Sequence, residues 1–240
     1  MTKKPIVLVP CAGNGTRFSK AGYSNPKPLI EFLGKPMIQH VVDCVPLDAD
    51  WIFIVQQNHI DEFQIDQVLK QIKPHCIVIS TGSGVTEGAA ASVLLAQQYI
   101  DNDRPLLIIN SDNIIEWDAV STTANWLESE SDGLILTFQD TDPKWSFVKL
   151  NDNGHATQVA EKTPISDIAT AGLYAWKKGC DFVLAAKTMI EKNIRFNNEF
   201  YLAPVYNQNI EQNQIITTHT VVMHGVGTPE DLAIYLRDKQ

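Results

Sequence analysis

Cysteine is sparse in this chain, and its four copies, Cys11, Cys44, Cys76 and Cys180, stand far apart. No CxxC pair exists, so the usual zinc and dithiol redox motifs are excluded and reduced thiols in strands and helices are expected. Long apolar runs are missing too: none approaches the ~18 residues of a membrane-spanning helix. The opening Met1-Thr2-Lys3-Lys4-Pro5 leads into an apolar run too short for the core of a signal peptide. Positive charge is scarce: 19 Lys and Arg face 28 Asp and Glu, a formal net charge of −9. The cations are scattered, which argues against a nucleic-acid-binding surface. An acidic substrate must then be caught by a local cluster of cations. Repeats, linkers and low-complexity stretches are absent, and the six histidines show no ligand spacing. His219 and His224 read as ordinary strand residues. What remains suits a soluble cytoplasmic protein, and 240 residues with 44 % apolar content can bury one good core.

Apolar runs and helical patterns alternate through the first half. Strands are expected at 6–10, 51–55, 76–80, 106–110 and 134–138. Helices are expected at 37–45 (after Pro36 at its first turn), 60–72, 87–100 and 118–128. This rhythm predicts an α/β class, a mostly parallel sheet wrapped by helices, with ligands at the carboxyl ends of the strands. The second half reads differently. Runs 147–150 and 156–160 flank Asn151-Asp152-Asn153-Gly154, a hairpin signal. A strand at 170–176, a helix at 181–192 and a strand at 215–223 follow. A helix at 229–237 closes the chain, with Thr228 as N-cap. The reading is an α/β core with a small antiparallel extension, in one unit.

The richest segment runs Ile6-Val7-Leu8-Val9-Pro10-Cys11-Ala12-Gly13-Asn14-Gly15-Thr16-Arg17-Phe18, followed by Pro26-Lys27-Pro28. A buried strand ends in a small-residue turn that exposes backbone N–H groups, and two cations follow. Such a site suits a polyphosphate. It is not a dinucleotide fingerprint, because Phe18 stands where the third glycine belongs. It is not a Walker A loop, because no Gly-Lys-Ser/Thr follows. An ordinary βα turn with a surface arginine is the plain alternative, and the Pro-Lys-Pro element weighs against it.

This segment, with Gly34-Lys35-Pro36-Met37-Ile38, resembles the signature of the sugar-phosphate nucleotidyltransferases, the nucleoside-diphosphate-sugar pyrophosphorylases. The resemblance is strong over the first 40 or so residues and patchier beyond. It implies a GT-A-like, three-layer α/β/α fold in a single domain over 1–240. Residues 1–140 would form the nucleotide-binding half and 141–240 the acceptor-binding half. It implies that Ala12, Gly13, Asn14, Gly15, Thr16, Arg17 and Lys27 bind the nucleotide. Gly82-Ser83-Gly84-Val85-Thr86-Glu87-Gly88-Ala89 resembles the family's stretch for the nucleobase, so Gly82, Thr86, Glu87, Gly88 and Ala89 join that set. Here Glu87 replaces a glutamine, which puts the base preference in question, because a carboxylate accepts but does not donate.

Asn110-Ser111-Asp112-Asn113 follows a strand of Leu and Ile, so Asp112 stands where the crevice should lie. Mg²⁺ takes one or two carboxylates plus substrate phosphates, and the resemblance makes Asp112 the ligand of a catalytic Mg²⁺ (or Mn²⁺). The alternative is an N-cap for the next helix. Glu161-Lys162 and Ala171-Gly172-Leu173-Tyr174 are similar to a family pair that contacts the sugar and its phosphate; the plain alternative is a solvated face. Asn113, Glu161, Lys162, Gly172, Asn198 and Glu199 are the expected acceptor-binding residues. For Asn197-Asn198-Glu199-Phe200-Tyr201 a helix start is the alternative. Many relatives carry an aspartate two residues before Gly227-Thr228; here that position is Gly225, so Asp112 stands alone or another carboxylate, Glu199, assists.

The implied reaction is transfer of a nucleotidyl group from an NTP to a small phosphorylated metabolite, a sugar 1-phosphate first, with release of pyrophosphate and a product for surface polysaccharide. Arg17, Lys27, Asp112 and Lys162 would be the catalytic residues. One alternative is a cytidylyltransferase for an aminoalcohol or glycerol phosphate. Another is a catalytically silent nucleotide-binding module. A glycosyltransferase fits less well, since Ser111-Asp112-Asn113 lacks the second acid of an Asp-x-Asp motif. The sequence is compatible with an oligomer.

Overall fold

The computed structural model describes residues 3–239. Met1 and Thr2, at the start of the segment read above as no signal peptide, lie outside the described residues, as does Gln240. The first strands are β1 (Ile6–Pro10), the two-residue pair β2 (Glu31–Phe32) and β3 (Lys35–Pro36), β4 (Asp50–Val55) and β5 (Ile77–Ser80). β6 (Leu106–Ile109), β7 (Asn113–Glu116), β8 (Gly133–Gln139), β9 (Ser146–Leu150) and β10 (Ala156–Glu161) follow. β11 (Ile168–Trp176), β12 (Ile216–Thr220) and β13 (Val222–Gly225) complete the set.

The main sheet runs β10-β9-β11-β6-β1-β4-β5, and β8 pairs with β11 and β12. β1 is parallel to β4 (Val7 opposite Trp51) and to β6 (Val7 opposite Leu107). The strands here are short, apolar and bounded by turns, as buried parallel strands are. Alternate residues face opposite ways. Ile6, Leu8, Ile52, Ile54 and Ile108 join one core, with Val93 and the Phe182 face of helix Gly179–Glu191. Val7, Val9, Phe53, Val55 and Ile109 join the other, with Ile38, Val41 and Leu69 of helices Met37–Asp43 and Ile65–Ile72. Three layers, α/β/α, result, as expected.

β9 and β10 form the expected antiparallel hairpin, closed by Gly154 N–H donating to the Asn151 carbonyl at 2.9 Å. β11 is more than part of an extension. It enters the main sheet antiparallel between β6 and β8, with a register shift between Thr170 and Tyr174. Gly172 lies in that bulge at φ +84, in the left-handed region, and a Cβ there would meet Asn113 Nδ2 at 2.5 Å. The bulge thus lets two asparagines crowd the sheet at the end of β6.

Three expected elements are interrupted. Helix 60–72 is two pieces, Gln57–Asp61 and Ile65–Ile72, because Gln64 turns left-handed at φ 53. Helix 87–100 begins only at Ala89 and breaks into Ala89–Leu94 and Gln97–Ile100. Strand 215–223 is two strands in different sheets. β12 pairs with β8, the chain turns at Val221, and β13 pairs with β7, a strand the sequence pattern does not reveal. The terminal helix Pro229–Asp238 has the expected cap: Thr228 Oγ1 accepts from Asp231 N–H at 3.0 Å. With Phe18, Phe32, Met37 and Val226, its Leu232 and Tyr235 form a small third core. Among the described residues no helix is long and apolar enough to cross a membrane.

Candidate active site

Because β1 and β6 are parallel, the loops after Pro10 and Ile109 leave the sheet on the same side. The first loop is held from beneath by buried Gln56, whose Nε2 donates to the Ala12 carbonyl at 2.9 Å. It ends in a short helical turn, Thr16–Lys20, that carries Arg17. Pro26 is extended and delivers a 3-10 turn, Lys27–Leu29. From it Lys27 Nζ donates to Asp112 Oδ2 at 2.8 Å. Asp112 is not a helix cap: helix Ala119–Glu128 is capped by Asp118, which accepts from Ser121 N–H at 3.0 Å. The Asp112 carbonyl instead accepts from Val226 N–H at 2.9 Å, joining the end of β6 to the end of β13.

Two cavities meet at Asp112. The first, of about 300 Å³, is lined by the Ala12-Gly13-Asn14 loop, Lys27, Thr86, Gly88, Ala89, Glu199 and Tyr201. The second, of about 260 Å³, is lined by Arg17, Asn113, Lys144, Trp145, Ser146, Glu161, Lys162 and Tyr174. Asn110, Ala89 and Tyr201 border both. The space is divided as a two-substrate reaction needs, with a carboxylate–ammonium pair at the junction.

In the second cavity Glu161 is buried, and burial pushes its carboxyl above the ordinary value. Ser146 Oγ donates to it and Lys162 lies nearby, and both work the other way. Lys162 N–H donates to the Trp145 carbonyl at 3.0 Å, and its Nζ donates to Tyr201 OH at 2.8 Å. Lys144 Nζ sits 3.3 Å from Asp231 and 4.7 Å over the Trp145 ring. Burial pushes the Cys11 thiol, beneath the first loop, up to about 12, so it is no nucleophile.

Most of the expected residues converge on these cavities. Ala12, Gly13, Asn14, Lys27, Thr86, Gly88 and Glu199 line the first; Arg17, Asn113, Glu161 and Lys162 line the second; Ala89 and Asp112 line both, so Arg17, expected with the nucleotide, and Glu199, expected with the acceptor, lie in the opposite cavities. Gly15, Thr16, Gly82, Glu87, Gly172 and Asn198 line neither. Glu87 points to Arg195, and the Asn198 carbonyl accepts from the same guanidinium. Tyr174, from the expected Gly-Leu-Tyr stretch, joins the second cavity, whereas Lys144, Trp145, Ser146, Asp231 and Asn110 are not expected from the sequence. They come from a turn, strand ends and the first turn of the terminal helix, without a local motif. The aromatic Tyr201 beside Glu199 was the one available hint.

At Gly225 an added Cβ would meet the Trp145 ring at 3.1 Å, so an indole fills the space beside that position. Among the described residues no group of three or more His, Cys, Asp or Glu could hold a metal. The single accessible carboxylate at the junction fits an ion that brings its other ligands on a substrate phosphate.

A family model for nucleotidyl transferases matches residues 4–223. The chain belongs to the nucleotidyl transferase family. Bifunctional protein GlmU of Methanocaldococcus jannaschii is 27% identical over 187 residues, covering 77% of this chain and 43% of the relative. UTP–glucose-1-phosphate uridylyltransferase of Escherichia coli K12 is 26% identical over 195 residues, 72% of this chain and 58% of the relative. The chain thus spans about half the length of these curated relatives. The nucleoside-diphosphate-sugar pyrophosphorylase of Vibrio cholerae RC9 superposes with TM-score 0.80 at 26% identity, over 96% of this chain and 99% of that one. The inositol-1-phosphate CTP transferase of T. maritima shares the fold, with TM-score 0.78 at 15% identity. As a family member, this nucleotidyl transferase chain has its glycine turn, Lys27 and Asp112 within the matched span.

Proposed function

We propose that the chain catalyses transfer of a nucleotidyl group from an NTP to a small phosphorylated acceptor, a sugar 1-phosphate first among them. The supporting observation is the Lys27–Asp112 pair at the junction of two cavities. The first cavity would take the NTP, with the Ala12-Gly13-Asn14 backbone toward the phosphates and the Thr86 to Ala89 segment toward the base. The second would take the acceptor, with Arg17 and Lys162 as charge partners of its phosphate and Glu161 and Ser146 toward its hydroxyls. An acceptor phosphate oxygen attacks the α-phosphorus in line. The α–β bridging P–O bond breaks, and pyrophosphate leaves with the electron pair. A phosphate monoester, with its second pKa near 6, is largely a dianion at neutral pH, so no general base is required. This chain's task is to orient two anions and neutralise the charge that builds between them. Lys27 lies where that charge develops and Arg17 on the acceptor side. A Mg²⁺ or Mn²⁺ ion held by Asp112 together with the substrate phosphates would supply further charge neutralisation when bound. The division at about residue 140, a cytoplasmic location and a role in surface-polysaccharide precursors belong to this reading.

The test is pyrophosphate release across five NTPs, with sugar 1-phosphates, choline phosphate and glycerol 3-phosphate as acceptors. Release should appear with one nucleotide–acceptor pair in Mg²⁺ and vanish in EDTA. Release with CTP and a non-sugar phosphate alone would replace the sugar by that acceptor. Nucleotide-induced thermal stabilisation without any release would make the chain a silent nucleotide-binding module.

A further inference from the structure

The nucleobase side of the first cavity and the segment that carries Glu199 and Tyr201 are fastened together by one small cluster. Phe200 N–H donates to the Glu87 carbonyl at 2.7 Å, and Ala90 N–H donates to the Phe200 carbonyl at 3.0 Å. The approach is close enough that only glycine fits at 88. Its φ is +122, and an added Cβ would lie 2.5 Å from the Phe200 backbone. Phe200 is fully buried. On its ring lies the Arg195 guanidinium, 4.0 Å from the centroid. The same guanidinium donates to both Glu87 carboxylate oxygens at 3.3 Å and to the Asn198 carbonyl at 3.2 Å. Between Arg195 and Phe200 the chain makes a tight turn. Phe196 and Glu199 exchange backbone hydrogen bonds, and Asn197 and Asn198 are both left-handed, at φ 46 and φ 64. Asparagine is among the residues that tolerate that geometry best.

Neither Glu87 nor Arg195 touches either cavity, yet each is one or a few residues from groups that do. Glu87 precedes Gly88 and Ala89. Arg195 fixes the turn that ends in Glu199, and Tyr201, two residues on, accepts a hydrogen bond from Lys162 across the second cavity. A half-exposed ion pair contributes little to stability by itself. Its position gives it a different use.

We propose that Glu87 and Arg195 are positioning residues that make nucleotide binding and acceptor binding cooperative. A base seated on the Thr86 to Ala89 segment holds Glu87 in place. Glu87 then holds Arg195 and the turn, and the turn presents Tyr201, and through it Lys162, to the acceptor. This rests on the nucleotidyltransferase reading and adds to it a physical link between its two substrates. By linkage the coupling is reciprocal. Glu87 thereby serves as a strut rather than as a reader of the base.

Hydrogen exchange on the full chain tests this with NTP and Mg²⁺ alone, since no reaction occurs without acceptor. The probes are UTP, CTP, ATP, GTP and dTTP in turn. In the wild type, the binding nucleotide should protect amides at 12–17 and 82–90, and also those at 193–198, none of which lines a cavity. In Arg195→Ala and Glu87→Ala, protection at 12–17 should persist and that at 193–198 should be lost. The acceptor KM should rise at least about fivefold, the low end of ordinary coupling between sites, with a smaller change in the NTP KM. Arg195→Lys keeps the charge without the planar fork and should fall between. Circular dichroism identifies a variant that fails to fold, and the other variant then carries the test. Protection at 193–198 that is missing in the wild type, or unchanged in the folded variants, overturns the proposal alone. Absence of protection at 12–17 and 82–90 with all five nucleotides overturns the nucleotidyltransferase reading and the proposal with it.

Discussion

Replacing Lys27 by methionine keeps the length and the apolar stem of the side chain and removes one charge. In the structure that charge lies 2.8 Å from Asp112 Oδ2, with the two side chains 18% and 26% exposed. Coulomb's law at an effective dielectric constant of about 20 gives about 6 kcal/mol of gross attraction at that distance. Desolvation and side-chain ordering cancel most of it, and partly exposed pairs measure at about 1 kcal/mol or less. Two opposite effects follow. In turnover, a positive charge is lost beside developing negative charge, where one contact is worth about 1.4 kcal/mol or more, so kcat should fall at least about tenfold. In the resting protein Asp112 is released from its partner. Its affinity for Mg²⁺ should rise by about fivefold, which is about 1 kcal/mol. The same pair explains why wild-type Mg²⁺ binding should be weak alone and tight with nucleotide: triphosphate supplies both the missing oxygen ligands and a competing partner for the lysine. Pyrophosphate release measures the first effect. Calorimetric titration of Mg²⁺ into apo protein, with and without a non-hydrolysable NTP, measures the second. Wild-type turnover in a folded Lys27→Met protein would refute the placement of Lys27 at the reacting centre. Unchanged apo Mg²⁺ affinity would refute the competition for Asp112.

Two further outcomes are expected. Gly227→Ala places a methyl 2.7 Å from Asp112 Oδ2 in a backbone conformation that alanine accepts, so the carboxylate must swing off Lys27. Turnover should drop about tenfold or more, while Tm moves by no more than about 4 °C, the shift that 1 kcal/mol produces in a domain of this size; a large Tm loss with intact kcat would contradict this. Burial raises the Glu161 carboxyl, so ionising it costs more in the folded than in the unfolded chain. That penalty is absent below the ordinary Glu value of about 4.3 and complete above the raised one. Glu161→Gln should therefore raise Tm at neutral pH, with the gain fading as pH falls to about 4. A gain independent of pH would point to packing instead.

The parallel half of the fold and the first cavity were legible because their signals are local. An apolar strand, a glycine turn and a cation between prolines are adjacent in the chain, and a strand end carries Asp112. The interruptions at Gln64 and before Ala89 were not legible. A helix that stops for a left-handed residue, or for a glycine pressed on a distant backbone, keeps its helical periodicity in sequence. The acceptor cavity was legible only where Glu161-Lys162 stood out. Trp145 acquires meaning from Gly225 beneath it, eighty positions away. Glu87 shows the same limit. Its substitution was visible, but its direction depends on Arg195, far along the chain.

The placement of β11 also governs how the chain comes off the ribosome. β1, β4, β5 and β6 can pair as soon as they are made, but Leu106–Ile109 then presents an open, wholly apolar edge. Its partner, Leu173–Trp176, comes from the other half of the sequence. At about 5–20 residues per second, the interval from residue 109 to residue 176 is on the order of 3–13 s. During that time the nascent sheet offers other chains a template for pairing. A fragment ending before residue 168 would keep that edge bare for good, whatever the completeness of its glycine loop.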